Sequence, residues 1–151
     1  MRPFDMPDTA KILDFIREAG IPVELGDLPG DTVLPGMTVS YGVLIVDPRT
    51  LVFPGDLLHD AGHIAVADPA AGHEAVSSDP GEEMAAIAWS YAAALAIGID
   101  PRIVFHDHGY RGGGDYIAEN FAEGRTFGVP LLQFWGLTRD DLFPAMLRWR
   151  R

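Results

Sequence analysis

The chain has 151 residues, carries 22 acidic side chains against 11 Lys and Arg, and has a formal net charge of −11. This length is that of one domain with a core of its own, so we expect a single domain spanning residues 1–151. The acidic balance argues against general binding to nucleic acid or to anionic membranes. The absence of cysteine excludes disulfides, thiol nucleophiles and thiolate metal ligands, and it fits a reducing compartment.

Apolar periodicity and turn residues predict the secondary structure. The predicted elements are, in chain order, a helix from Asp8 or Thr9 to Gly20, strands over 21–25, 37–46 and 50–53, and helices over 56–67, 82–97, 116–123 and 138–150. Asp56 is the predicted N-cap of the first central helix. The basic residues near position 150 are expected to place favourable charge at a helix C-terminus. This order predicts an α+β domain with a small antiparallel sheet packed against helices.

Neither a membrane span nor a signal peptide is predicted. The longest apolar run without charge, residues 84–99, contains Ser90 and Gly98 and is shorter than a membrane span, so we expect a buried core helix. Residues 1–20 contain four acidic side chains and lack an apolar core. We therefore expect a cytoplasmic protein that has no membrane partner, with its oligomeric state left open.

The strongest chemical signal is a pair of histidines, His59 and His63, four residues apart. On a helix this spacing puts both imidazoles on one face, with Asp60 at the edge of that face and apolar residues opposite. Two neutral imidazoles and one carboxylate from another element form a zinc shell that leaves a fourth position for water. Imidazole ligands favour Zn²⁺ over harder cations.

The third ligand is expected from the start of the next helix, where Glu82 and Glu83 are adjacent. Glu83 lies nearer than Glu82 to the apolar stripe of that helix. The stripe consists of Met84, Ile87, Ala88, Tyr91 and Leu95. If the stripe faces the histidine helix, Glu83 is the better ligand, and Glu82 remains the alternative.

These features resemble the zincin metallopeptidases, and most of all their compact ImmA/IrrE type. The common pattern is a strand pair, a His-x-x-x-His helix with Gly before the second His, and an Ala-rich helix that begins with Glu. Glu83, Ala86 and Trp89 match that family's second-helix pattern, and the resemblance covers residues 40–97. It implies a zincin-like domain in which His59, His63 and Glu83 hold zinc, position 60 is the general base, and the substrate is a peptide or protein.

The chain departs from that pattern at Asp60, where the family has Glu. Asp is one methylene shorter, so its oxygen would fall about 1–1.5 Å short of the same point. A displacement of that size can cost ~100-fold in rate. Asp60 is then expected to act through an intervening water or to orient a ligand. The alternative function is a non-catalytic, degenerate zincin scaffold that serves as a binding module.

The same segment also resembles the His-Asp motif of HD-type phosphohydrolases, in which adjacent His and Asp both bind metal. In this chain the pair would be His59 and Asp60, and the later run His106-Asp107-His108 could join a binuclear site. Against this alternative, no His precedes position 59, and the preceding segment predicts strands where that family has helices.

The remaining candidates lie in a Gly-rich loop over residues 106–115. With a zincin-type site, His108, Tyr110 or Tyr116 could donate a hydrogen bond to a developing oxyanion, and Gly112–Gly114 could act as a hinge. The alternative is an exposed polar loop. His73 lies ten residues after His63, which is not the metzincin spacing, and it is therefore expected on the surface.

Overall fold

A computed structural model of the chain describes residues 1–72 and 74–151. Over these residues it forms five α-helices and three β-strands and belongs to the α+β class, as the sequence predicts. The elements are α1 (Pro7–Glu18), β1 (Val23–Leu25), β2 (Met37–Ser40), β3 (Val43–Val46), α2 (Asp56–Val66), α3 (Pro80–Ile97), α4 (Gly114–Ala122) and α5 (Val129–Phe134).

The sheet is mixed, so the prediction of an antiparallel sheet is wrong in part. The strand order is β1-β3-β2, with β3 antiparallel to β2 and parallel to β1. The apolar run 37–46 is a hairpin and not one strand, because Tyr41 and Gly42 both have positive φ (47° and 77°) and reverse the chain. The parallel pair follows because the connection over residues 26–36 carries the chain past the position of β3 to the far edge of the sheet, and the hairpin then returns β3 between β2 and β1.

Residues 50–53 do not form the predicted return strand. A turn follows β3 at Asp47. The carbonyl oxygen of Asp47 accepts hydrogen bonds from the backbone N–H groups of Thr50 and Leu51, at 3.2 and 3.1 Å. Those donors are therefore not free to pair with a neighbouring strand. The segment instead runs as an irregular connection directly into α2.

The helices α2 and α3 form the centre of the core and pack unusually closely. A Cβ atom at Gly62 of α2 would lie 2.9 Å from the carbonyl oxygen of Ala86 on α3. The face of α3 that meets α2 therefore carries Ala86 and Trp89. The predicted stripe does not describe this face, because Met84 and Leu95 are both 41% exposed. The small residues of α3 allow the close approach, and periodicity alone could not select this face of a helix that is apolar nearly all round.

The predicted helix over 138–150 is absent: the structure has turns there, and the last helix is α5. Pro144 lies in the middle of this segment and supplies no N–H donor to a helix. The tail instead packs on α2 and α3. The Trp89 indole N–H donates to the carbonyl oxygen of Trp149 (2.9 Å), and the backbone N–H of Arg151 donates to that of Ala65 (2.9 Å). The basic tail therefore does not end a helix of its own as expected; the Arg151 guanidinium instead donates to the carbonyl oxygen of Val66 (3.3 Å), the last residue of α2.

Two further helices agree with the sequence, although each begins two residues earlier than predicted. The predicted helix over 116–123 corresponds to α4, and α3 begins at Pro80 behind Asp79, whose carboxylate accepts a hydrogen bond from the N–H of Glu82 (2.9 Å). Across the described part of the chain, none of the helices combines the length and the apolar character that crossing a membrane requires.

Candidate metal centre

The two histidines lie on one side of α2, as their spacing predicts. Their ring centroids are 5.0 Å apart and the ring planes meet at 74°. All residues of α2 apart from His59 are buried, and the side chains of His59 and His63 are only 15% and 3% exposed. Both imidazoles therefore line a largely enclosed site between helices.

Glu83, in the first turn of α3, reaches both imidazoles. Its Oε1 lies 3.3 Å from His59 Nε2, and its Oε2 lies 2.6 Å from His63 Nε2. One ligand atom from each of His59, His63 and Glu83 lies within 4.8 Å of the other two, so the group could hold a metal ion. Two imidazole nitrogens and one carboxylate are the donor set of many catalytic zinc sites, so these residues fit that ion. Glu83 is 42% exposed, and solvent can reach the group from this side.

The adjacent acid, Glu82, contacts the other side of His63. Its Oε1 lies 3.1 Å from His63 Nδ1, and its side chain is 12% exposed. The two consecutive glutamates therefore occupy different positions: Glu83 faces the point where the Nε2 atoms converge, whereas Glu82 faces the nitrogen directed away from it. This arrangement favours Glu83 as the metal ligand.

The charges of the group act strongly on one another. Burial alone would lower the pKa of His63, but its hydrogen bonds and charge interactions with Glu83 and Glu82 raise it. Partial burial alone would raise the pKa of Glu83, but the hydrogen bonds and charges of His59 and His63 hold it well below its usual range. Glu83 is therefore ionised at neutral pH, as a metal ligand must be.

Asp60 is buried beside this group, with 9% of its surface exposed. Burial raises its pKa to about 6, although the nearby His59 and His63 act in the opposite direction and Asp56 and Glu83 add to the increase. Its carboxylate is not one of the three converging ligand groups. A carboxyl group whose pKa lies near neutrality can exchange a proton readily at physiological pH.

Tyr110 is placed differently from its predicted role as an oxyanion donor. Its hydroxyl oxygen lies 2.7 Å from His59 Nδ1, and its ring meets the His59 ring edge to face, at 5.4 Å and 80°. The Nδ1 atom faces away from Glu83, so the hydroxyl contacts the candidate ligand from behind. Burial, together with the charges of Glu83, Asp56 and Asp60, raises the pKa of Tyr110 well above its usual range.

His106 and His108 lie outside the converging group. His106 Nε2 is 2.7 Å from Asp56 Oδ1, and its ring stacks on Phe53 with centroids 4.1 Å apart. His108 is exposed, and its ring lies 5.4 Å from that of Phe53. In residues 1–72 and 74–151, the only group of three or more His, Asp or Glu side chains close enough to share a metal ion is that of His59, His63 and Glu83. The structure therefore does not bring the run His106-Asp107-His108 into a binuclear site.

Asp56 is not the N-cap that the sequence suggests. It is the first residue of α2, Gly55 is the cap, and no side chain caps this helix end. The Asp56 carboxylate instead contacts His106 Nε2. Burial raises the pKa of Asp56, and the contact with His106 acts to lower it.

The other predicted loop residues fall away from the site. Tyr116 lies on α4 and is 69% exposed. Gly114 packs closely on the preceding loop, since a Cβ there would lie 2.5 Å from the carbonyl oxygens of Phe105 and His106. The prediction for His73 falls outside the described residues.

One buried residue, Ser90, was not selected by the sequence analysis. Its hydroxyl donates to the carbonyl oxygen of Ile87 (2.7 Å), and it lies close enough to Tyr110 to act against the raised pKa of that phenol. The sequence could have indicated Ser90 by its position seven residues after Glu83, because this spacing puts both residues on one face of a helix.

A cleft of about 180 Å³ opens on the Glu82 side of His63. It lies between the β2–β3 hairpin, the end of α2 and the connection to α3. Its apolar lining residues are Val39, Ile64, Ala67, Pro69, Ala75 and Val76. His63 and Glu82 are among its lining residues, so the cleft adjoins the candidate metal group.

Comparison of the chain with known protein families, curated proteins and solved structures found no match. The functional argument therefore depends on the geometry of the site.

Proposed function

We propose that this chain is a zincin-like, zinc-dependent hydrolase in which His59, His63 and Glu83 hold the metal. One observation carries the proposal: ligand atoms from two different helices, α2 and α3, lie within 4.8 Å of one another. The identity of the donors supports zinc, because imidazole and carboxylate together suit this ion. The partial exposure of Glu83 supports a site that a substrate can reach.

Zinc, when bound, supplies a Lewis acid and lowers the pKa of a bound water. We assign the proton-accepting role to Asp60. Its carboxyl is buried next to His59 and within electrostatic range of both imidazoles. This position matches that of the motif glutamate in the zincins, apart from the shorter side chain.

A peptide or protein substrate is proposed from the resemblance and from the sheet. The order β1-β3-β2 leaves one edge of β2 without a neighbouring strand among the described residues. Val39 of β2 and His63 line the same cleft, so this strand lies beside the candidate site. An extended peptide can bind such an edge through its main chain. The cytoplasmic location and the lack of a nucleic-acid partner remain predictions from composition.

Elemental analysis of the purified chain tests the metal centre. We expect one zinc per chain in the wild type and loss of that zinc in His59→Ala. His108→Ala is the matched control, because it removes an exposed histidine outside the group and should keep the metal. If the wild type neither contains nor takes up zinc, the proposal is wrong.

A non-catalytic binding module is the second candidate, and Asp60 is the observation that favours it. The variant Asp60→Glu separates the two functions when peptidase activity is measured with and without chelator. A gain of chelator-sensitive activity supports a hydrolase limited by one methylene. Zinc binding without activity in either form supports the binding module.

A further inference from the structure

The two imidazoles share one pattern of contacts. Each directs Nε2 to Glu83 and Nδ1 to a second partner, which is Glu82 for His63 and the Tyr110 hydroxyl for His59. A neutral histidine that binds metal through Nε2 carries its proton on Nδ1, and that proton needs an acceptor. At 2.7 Å, the Tyr110 oxygen is placed to accept it.

Tyr110 also lies close to Ser90 of α3. The Ser90 hydroxyl itself donates to the carbonyl oxygen of Ile87 (2.7 Å). Ser90 and Glu83 belong to the same helix, so Tyr110 contacts His59 of α2 and lies beside the helix that carries the third ligand.

Tyr110 is itself held in place by the loop that precedes it. The N–H of His108 donates to His106 Nδ1 (3.2 Å), so the proton of a neutral His106 is on Nε2 and is donated to Asp56 Oδ1 (2.7 Å). Asp56 is the first residue of α2, three positions before His59. Tyr110 has a positive φ of 54°, which few non-glycine residues adopt without such support.

We propose that Tyr110 is the positioning residue for His59, and that the Asp56–His106 pair clamps its loop onto the start of α2. The inference depends on the proposed metal centre. The hydroxyl fixes the Nδ1–H form of His59 and the orientation of the ring, so that Nε2 points at the shared ligand position. Partners of this kind typically change metal affinity by about 10–100-fold when they are removed.

The test compares Tyr110→Phe with Tyr116→Phe. The first variant removes only the hydroxyl behind His59, and the second removes an exposed hydroxyl in the next helix. Zinc affinity is measured by competition with a chromogenic chelator, and the ligand field is measured from the visible spectrum of the Co²⁺-loaded protein. We expect about tenfold or greater loss of affinity and a changed Co²⁺ spectrum in Tyr110→Phe. Tyr116→Phe should match the wild type in both.

The thermal melt of each metal-free variant separates a positioning effect, which leaves the Tm unchanged, from a general loss of stability, which lowers it. If Tyr110→Phe does not fold, His106→Ala provides the second test, since this residue contacts none of the three ligands and should still weaken zinc binding. Equal affinity and equal Co²⁺ spectra in the wild type and in the folded variant overturn the inference while leaving the metal centre intact. A wild type that binds no zinc overturns the proposed function, and this inference with it.

Imidazole NMR of the metal-free protein adds a readout that needs no metal. The ring nitrogen resonances of His59 should shift in Tyr110→Phe, whereas those of His63 should stay in place. Unchanged His59 resonances would show that the hydroxyl contact does not exist in solution.

Discussion

Gly62 on α2 lies against the carbonyl oxygen of Ala86 on α3, at a distance that leaves no room for a side chain. A Cβ at position 62 would be 2.9 Å from that oxygen and 3.3 Å from the Trp89 ring. Gly62 immediately precedes His63, and Ala86 lies one turn after Glu82 and Glu83. The close contact of the two helices therefore sets the distance between the histidines and the acids.

We predict that Gly62→Ala destabilises the fold and weakens zinc binding. Overpacking of a core costs about 1–3 kcal/mol, and because the clash here is with backbone we expect a cost in the upper part of that range, above the ~1 kcal/mol that Ala gains over Gly within a helix. Chemical denaturation should show a lower free energy of unfolding, and chelator competition should show weaker zinc binding. Gly30→Ala is the control, because a Cβ there meets no atom within 4 Å. Equal stability of the two variants would contradict the close packing.

The adjacent glutamates should differ in their effect on metal binding. Glu83→Gln removes the charged ligand and should abolish stoichiometric zinc. Glu82→Gln keeps all three ligands and removes only the partner of His63 Nδ1, so zinc should still bind, about 10–100-fold more weakly. Zinc content and chelator competition measure the difference. The opposite ranking would make Glu82 the ligand.

Asp47, which is not part of the candidate metal group, should make stability depend on pH. Hydrogen bonds from the N–H groups of Leu28 and Arg49, both 3.0 Å, lower the pKa of its buried carboxylate below 3.8, with a further contribution from the Arg49 charge. A lowered folded-state pKa stabilises the fold above the ordinary carboxyl pKa, and this contribution is lost as the pH falls through the folded value.

Asp47→Asn should therefore lower the Tm at neutral pH, and the difference from the wild type should shrink as the pH falls below about 3.8. Thermal melts across the acidic range measure it. Asp27→Asn, at an exposed position, is the control and should change the Tm little. A difference that persists unchanged at the lowest pH would contradict a role for the ionised carboxylate.

Trp149 should contribute to stability although it lies outside any helix. Its ring contacts those of Phe15 (4.8 Å) and Trp89 (5.7 Å), and its carbonyl accepts the Trp89 indole N–H. Because the side chain is only partly buried, Trp149→Ala should cost about 2 kcal/mol, less than the 3–5 kcal/mol of a fully buried Trp. Leu147→Ala, at a side chain 53% exposed, should cost much less. Urea denaturation compares the two, and equal losses would contradict the packing role of the tail.

Local patterns in the sequence were sufficient for α1, α2, α3 and α4 and for the pairing of His59 with His63. These features depend on helical periodicity, capping and turn residues, which act over a few neighbouring positions. The division of residues 37–46 into a hairpin was also a local event, but its signal, Tyr41-Gly42, was hidden within an apolar run. The missing helix over 138–150 shows the opposite case, in which contacts with α2 and α3 replaced local helical hydrogen bonds.

The chain's own sequence determined that two imidazoles share a helix face and that acids begin the following helix. Only the tertiary structure decided which acid meets which nitrogen and that Tyr110 lies behind His59 instead of at the reacting side. The reason is physical: the rotation of α3 against α2 depends on how closely Gly62 and Ala86 pack, and the path of the 106–113 loop depends on the contact of His106 with Asp56. Both are contacts between residues distant in the chain, and no local pattern encodes them.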